Sequence, residues 1–205
     1  MKLLHLDSSI LGEHSISRLL SREVVDTLLQ GQPNAEIRYR DLANESLGHL
    51  AGSTLAANGT PAELRTPAQQ AEANLSDDVL NELFAADTLV IGAPMYNFSI
   101  PSQLKSWIDR VAVAGKTFKY GPNGPEGLVK GKKVIIVSTS GGQHVGKPTG
   151  VGHEDFLLTV LGFIGVTDII VVRAHGLAMG PDARDAALAG ARSTIASLAN
   201  NAVAA

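Results

Sequence analysis

Five times along this chain an apolar run of strand length is followed by a stretch of helical period, and few architectures accept that order. The strand-like runs fall at 2–7, 36–40, 88–93, 133–138 and 168–173. Between the first two, Ile16, Leu19, Leu20, Val24 and Leu28 give residues 15–30 one apolar stripe. Thr66-Pro67 offers an N-cap with proline at the first helical position, and Leu75, Val79 and Leu83 carry that helix to about Ala86. Pro101 opens another helix with Leu104, Trp107 or Ile108, and Val111 on its stripe. Residues 154–164 and the stretch from Pro181 onward complete the series, the latter with Asp182 and Asp185 in its favourable first turn. Repeated β-then-α units imply a parallel sheet covered on both faces, with right-handed crossovers. We expect a single doubly wound α/β domain over 1–205, with residues 43–65 an irregular surface excursion and 116–131 a turn-rich loop or hairpin.

Composition narrows the chemistry. The 205 residues include no cysteine, which removes disulfides, thiolate zinc, iron–sulfur clusters and thiol nucleophiles. Redox chemistry here therefore needs a bound cofactor. With 17 basic and 20 acidic side chains, there is no cationic surplus to suggest nucleic acid or an anionic membrane as partner. The apolar start is cut short by Asp7 and Ser8, and no run approaches the roughly 20 residues of a membrane helix, so a cytoplasmic location is expected. The six histidines lack metal-ligand spacing, and no metal site is expected.

In doubly wound sheets ligands bind beyond the carboxyl ends of the strands, which directs attention to three loops. The first, 8–17, holds Ser8, Ser9, Ser15 and Ser17 before a helix. One hydroxyl suffices to cap a helix; four, together with helix N-terminal N–H groups, suit a phosphate. No glycine triplet of a dinucleotide fingerprint is present, so a mononucleotide is expected. The second loop, Pro94-Met95-Tyr96-Asn97-Phe98-Ser99-Ile100-Pro101, sets two aromatics, a thioether and an amide between rigid prolines, a surface suited to a flat conjugated ring. The third, 138–148, contains Gly141-Gly142 with His144 beyond. Gly141 to Lys147 fits a phosphate-loop spacing, but Pro148 stands where Ser or Thr is needed, and Ser138 stands where a nucleophile elbow at Ser140 needs glycine. A serine hydrolase or NTPase using this loop is thus a poor alternative.

The three loops together resemble the FMN-dependent NADH-azoreductases, flavodoxin-like proteins that also reduce quinones. The resemblance spans essentially the whole chain and includes Ala93-Pro94-Met95-Tyr96-Asn97-Phe98, Asn123-Gly124-Pro125-Glu126-Gly127-Leu128 and Leu161-Gly162-Phe163-Ile164-Gly165. It implies a five-stranded parallel sheet in the order 2-1-3-4-5 and FMN as the bound cofactor. Ser9, Ser15, Ile16 and Ser17 would hold its phosphate. Met95, Tyr96, Asn97 and Phe98 would line its ring, with Thr139, Ser140, Gly141 and Gly142 as a further stretch. That last stretch departs from the common Ser-Arg-Gly-Gly, so a cation is missing there. By the same resemblance His144 is a candidate for tuning the flavin, and Phe98, Phe118, Tyr120 and Phe163 for the walls that receive NADH and then a quinone or azo acceptor in ping-pong fashion. No protein side chain acts as catalyst in that scheme. It also implies a homodimer with flavin sites near the subunit interface. The segments 43–65 and 116–131 are longer than simple βα connections need, and we expect one subunit's excursion to help roof the other's flavin. A general flavin reductase or an FMN electron carrier is the alternative within redox chemistry.

Overall fold

The computed structural model describes residues 1–202. Its sheet is built from β1 (Lys2–Asp7), β2 (Glu36–Asp41), β3 (Thr88–Pro94), a strand at Lys133–Ser140 and another at Asp168–His175. A two-stranded hairpin intervenes, β4 (Phe118–Gly121) with β5 (Gly124–Gly127), so the last two sheet strands are β6 and β7. The sheet order is β2-β1-β3-β6-β7 with every pair parallel, which is the expected 2-1-3-4-5 arrangement.

The helices are α1 (Ile16–Leu29), α2 (Gly52–Gly59), α3 (Pro67–Ala85), α4 (Ser102–Val111), α5 (Phe156–Ile164) and α6 (Pro181–Ala202). The strands' alternation decides which face each one covers. Leu4, Leu6, Leu89, Ile91, Val134 and Ile136 pack with Val79, Leu83, Leu104, Trp107 and Leu161 from α3, α4 and α5. Leu3, Val90, Ile135, Val137 and Val172 point the other way, onto Leu20, Val24, Ile195 and Leu198 of α1 and α6. Because β1, β3 and β6 are buried on both sides, they read in sequence as nearly continuous apolar runs, whereas the edge strand β2 is largely exposed and charged.

Two readings need correction. Residues 43–65 are not irregular, because α2 and a 3₁₀ turn at Ala62–Leu64 lie within them. The run Gly52-Ser53-Thr54-Leu55-Ala56-Ala57-Asn58-Gly59 is a weak helix former, and tertiary contacts hold it instead. Thr54 donates to Glu72 of α3 at 2.7 Å, Ala57 is buried, and the Arg110 guanidinium binds both Glu72 and the Leu47 carbonyl. The fourth predicted helix, expected from residue 154, begins instead with a π-helical turn at Val151–Asp155 before α5. Turns of this kind recur near functional sites.

The hairpin is fastened to the C-terminus of α5. Gly165 takes φ of 110°, Val129 N–H bonds the Ile164 carbonyl at 2.9 Å, and the two backbones meet where Gly127 has no side chain. A Cβ on Gly127 would fall inside the backbone of Ile164 and Gly165. We therefore expect Gly127→Ala to cost about 3 kcal/mol, read as a lowered denaturation midpoint. A midpoint equal to the wild type would contradict this packing.

Candidate functional site

The carboxyl ends of β1, β3 and β6 align at one sheet edge, with Asp7 paired to Gly92 and Pro94 to Thr139. The loops leaving that edge bound a cleft of about 280 Å³, lined by Ser9, His14, Ser15, Ile16, Met95, Tyr96, Thr139, Ser140 and Gly141, among others. Met95 and Tyr96 also line an adjoining groove of about 540 Å³ that reaches Asn97.

The first loop ends in the cap of α1. Ser15 accepts the Arg18 N–H at 3.2 Å and lies 3.0 Å from the Ser17 hydroxyl. The N–H groups of Ile16 and Ser17 start the helix and have no intrahelical acceptor, so this end of α1 presents donors and positive dipole. Beneath the loop sits the buried Arg18. Its guanidinium grips Asp41 through two 2.7 Å contacts and reaches the Ser9 carbonyl at 2.8 Å and the Tyr39 hydroxyl at 3.1 Å. The hydrogen bond to Asp41 raises the arginine pKa further. Burial pushes the Asp41 carboxyl up, but the Arg18 hydrogen bond and charge overcome it and hold it below the usual range. Tyr39 is pushed up to about 12, by burial first and then by the Asp7 and Asp41 charges.

The second loop is tied to both others. Met95 N–H bonds the Thr139 carbonyl at 2.8 Å, and the Tyr96 hydroxyl meets Ser9 Oγ at 2.9 Å. Tyr96 and Ser99 exchange backbone hydrogen bonds around Asn97 and Phe98, whose φ values are 50° and 67°. Positive φ at both central positions marks a type I′ turn, easy for asparagine and strained for phenylalanine. Phe98 is 57% exposed and lines neither the cleft nor the adjoining groove. It meets His144 edge-on, with ring centroids 5.7 Å apart.

The third loop is zipped to the segment after β7. Gly176, Leu177 and Ala178 donate N–H groups to the carbonyls of Gly142, Ser140 and Gly141 at 3.0, 3.1 and 3.0 Å. A Cβ on Gly141 would come to 3.3 Å from the Ala178 Cβ, a close contact across this seam. The Ser140 hydroxyl donates to the Gly142 carbonyl and touches no histidine, so it lacks the base a nucleophile needs.

A model of the flavodoxin-like fold matches residues 1–199. This chain belongs to the flavodoxin-like fold family. Within that family it is 59% identical over 197 residues to the FMN-dependent NADH:quinone oxidoreductase 1 of Pseudomonas putida, covering 96% of this chain and 97% of the relative. It is 53% identical over 201 residues to the FMN-dependent NADH:quinone oxidoreductase of Chromobacterium violaceum, covering 97% and 100%. The crystal structure of an azoreductase from Bacillus anthracis superposes with a TM-score of 0.86 at 28% identity, over 98% of this chain and 99% of that one.

On this flavodoxin-like frame Ser9, Ser15, Ile16, Met95, Tyr96, Thr139, Ser140 and Gly141 share one cleft, while Asn97 lies in the groove beside it. Ser17 is buried behind Ser15, and Gly142 and His144 stand just outside. Phe118, Tyr120 and Phe163 do not line the cleft of their own chain. They form a separate aromatic cluster, Phe118 lying 4.6 Å from Phe163 and 5.6 Å from Tyr120 between ring centroids. Sequence reasoning missed the Arg18–Asp41 tie, the Tyr96–Ser9 contact and the lining residues Leu177, Ala178 and Arg184. The strand-end rule reaches the last three if applied to the fifth sheet strand as well. Among the described residues no helix is long and apolar enough to cross a membrane, and no group of three or more potential metal ligands occurs.

Behind Met95 lies a buried histidine pair, His153 from the π-helical turn and His175 from the end of β7. His153 donates from Nε2 to the Ala93 carbonyl at 2.9 Å, and His175 Nε2 meets the Ser138 hydroxyl at 2.8 Å. Burial lowers both imidazole pKa values below 6.5, Glu154 opposing and His144 reinforcing, with Arg173 also lowering that of His175. The unfolded chain therefore takes up protons first, so this stability is complete above about pH 6.5 and is lost as pH falls. We expect the denaturation midpoint to drop between pH 7 and pH 5.5, and His153→Gln with His175→Gln to flatten that slope. An unchanged slope in the double variant would contradict the assignment.

Proposed function

We propose that this chain is an FMN-dependent NADH:quinone oxidoreductase that also reduces aromatic azo compounds, working in the cytoplasm as a homodimer. The observation that carries the reading is the convergence on one cleft of a hydroxyl-rich helix N-terminus with Met95 and Tyr96, which lead into the strained turn at 97–98. The donor set suits FMN: hydroxyls and open N–H groups of Ser9, Ser15, Ile16 and Ser17 for a phosphate, and a groove bounded by Met95, Tyr96 and Asn97 for a flat ring. Gly141 leaves space where a side chain would press on the far wall of the cleft.

Bound FMN supplies two-electron chemistry between NADH and the acceptor. The protein's part is placement. The Arg18 tie fixes the carbonyl of Ser9, and the Ser9–Tyr96 contact fixes the first loop relative to the second. The Tyr96–Ser99 turn projects Asn97 and Phe98 from a closed pair of backbone hydrogen bonds, so a stacked ring meets a preorganised edge. His144 is steadied by Thr149 at 3.0 Å and stands beside Phe98, where a donor to the flavin's polar edge is useful. One cleft serves NADH and acceptor in turn, which gives ping-pong kinetics.

Tyr120 is 75% exposed on the hairpin, with half-buried Phe118 and Phe163 behind it. An exposed aromatic cluster lying apart from its own cleft is best used by a second copy, so we assign these rings to the acceptor-binding wall of the partner's site.

Purified protein loaded with FMN is expected to oxidise NADH with a quinone and with an azo dye. Oxidation that tracks only added free flavin would overturn the assignment. Asn97→Ala places a Cβ-bearing residue without a polar side chain at positive φ and is expected to weaken FMN binding about fivefold in a fluorescence titration. Unaltered affinity would remove the turn from the binding site.

A further inference from the structure

Among the described residues, Arg22 and Arg184 are the arginines whose guanidinium makes neither a hydrogen bond nor an ion pair. Arg184 lines the same cleft as Ser9, Ser15, Ile16 and Ser140. Its position follows from helix packing. α1 and α6 cover the same face of a parallel sheet and run side by side in the same direction, and Arg192 of α6 is ion-paired to Glu23 of α1 at 2.8 Å. Eight residues back along each helix, about 12 Å at the helical rise, brings Arg184 level with Ser15. An exposed guanidinium thus stands beside the open N–H groups at the start of α1. Asp182, Asp185 and Glu13 are close in sequence to the two helix starts, yet none of them forms an ion pair with it.

We infer that Arg184 is a phosphate-binding residue, selecting the phosphorylated flavin over its dephosphorylated form. This rests on the FMN reading above. It also accounts for the cation absent from Thr139-Ser140: both that pair and Arg184 line the cleft, so α6 returns to the site the positive charge that the third loop lacks. Arginine suits the role because its planar fork donates to two phosphate oxygens at once. His14, on the same lining, adds a second nitrogen donor on the α1 side.

The test compares FMN with riboflavin, titrated by flavin fluorescence against wild type, Arg184→Gln, Arg184→Lys and Arg22→Gln. Arg184→Gln is expected to weaken FMN about tenfold while leaving riboflavin unchanged. Arg184→Lys recovers part of the loss, and Arg22→Gln, with its site on α1 away from the cleft lining, matches wild type. The wild type's preference for FMN should also fall with added salt more steeply than that of Arg184→Gln. FMN affinity within twofold of wild type in Arg184→Gln would overturn the inference. So would equal loss for both flavins, which marks a structural role, or an equal loss in Arg22→Gln, which marks general charge. If wild type binds neither flavin, the FMN reading itself fails.

Discussion

A parallel sheet brings the ends of its strands to one edge, and the backbone groups of every loop leaving that edge must find partners outside the ladder. Here the loops satisfy one another. The Thr139 carbonyl takes the Met95 N–H, Ser8 donates to the Gly92 carbonyl at 2.6 Å, and three carbonyls of the third loop take N–H groups from 176–178. Groups spent in this way are unavailable to a ligand. What stays open is the start of α1, the exposed turn at 97–98 and the glycine at 141. The shape of the cleft follows from which polar groups the loops leave over.

Arg18 carries much of this arrangement. Its charge is buried, which is tolerable because Asp41 neutralises it through paired contacts and the Ser9 carbonyl and Tyr39 hydroxyl take further N–H donors. The same guanidinium therefore connects β2, α1 and the first loop. It is fully occupied, so it positions the α1 end of the cleft without offering a donor to it. Arg184, with its guanidinium unpaired, has the complementary part.

The strand–helix alternation was legible because β1, β3, β6 and β7 are apolar on both faces, or nearly so, and the helices keep one stripe; β2, at the sheet edge, is Glu-Ile-Arg-Tyr-Arg-Asp and exposed over its first four residues. The sheet order came from resemblance to a family and agrees with the register found. Ser9, Met95 and Thr139 were legible because they lie at strand ends, where topology places a ligand, and Ser15 because it caps the helix that follows the first strand. α2 was not, because Thr54 and Ala57 are held by Glu72 and neighbouring packing, which a weak local propensity does not announce. Arg18 and Asp41 lie 23 positions apart, and their pairing exists only once β1 and β2 are adjacent. Phe118, Tyr120 and Phe163 were placed around the flavin by resemblance; in one chain they meet each other instead, which is why a second copy enters the functional reading.

Hydrogen exchange read by mass spectrometry, with and without FMN, tests the central claim that three strand-end loops form one flavin site. Amides in 12–17 and 95–99, together with those in 139–144, should exchange more slowly when FMN is added, while those in β2 and the C-terminal half of α3 keep their rates. Slowing confined to other segments, or no slowing in 12–17 and 95–99 at saturating FMN, would contradict the account.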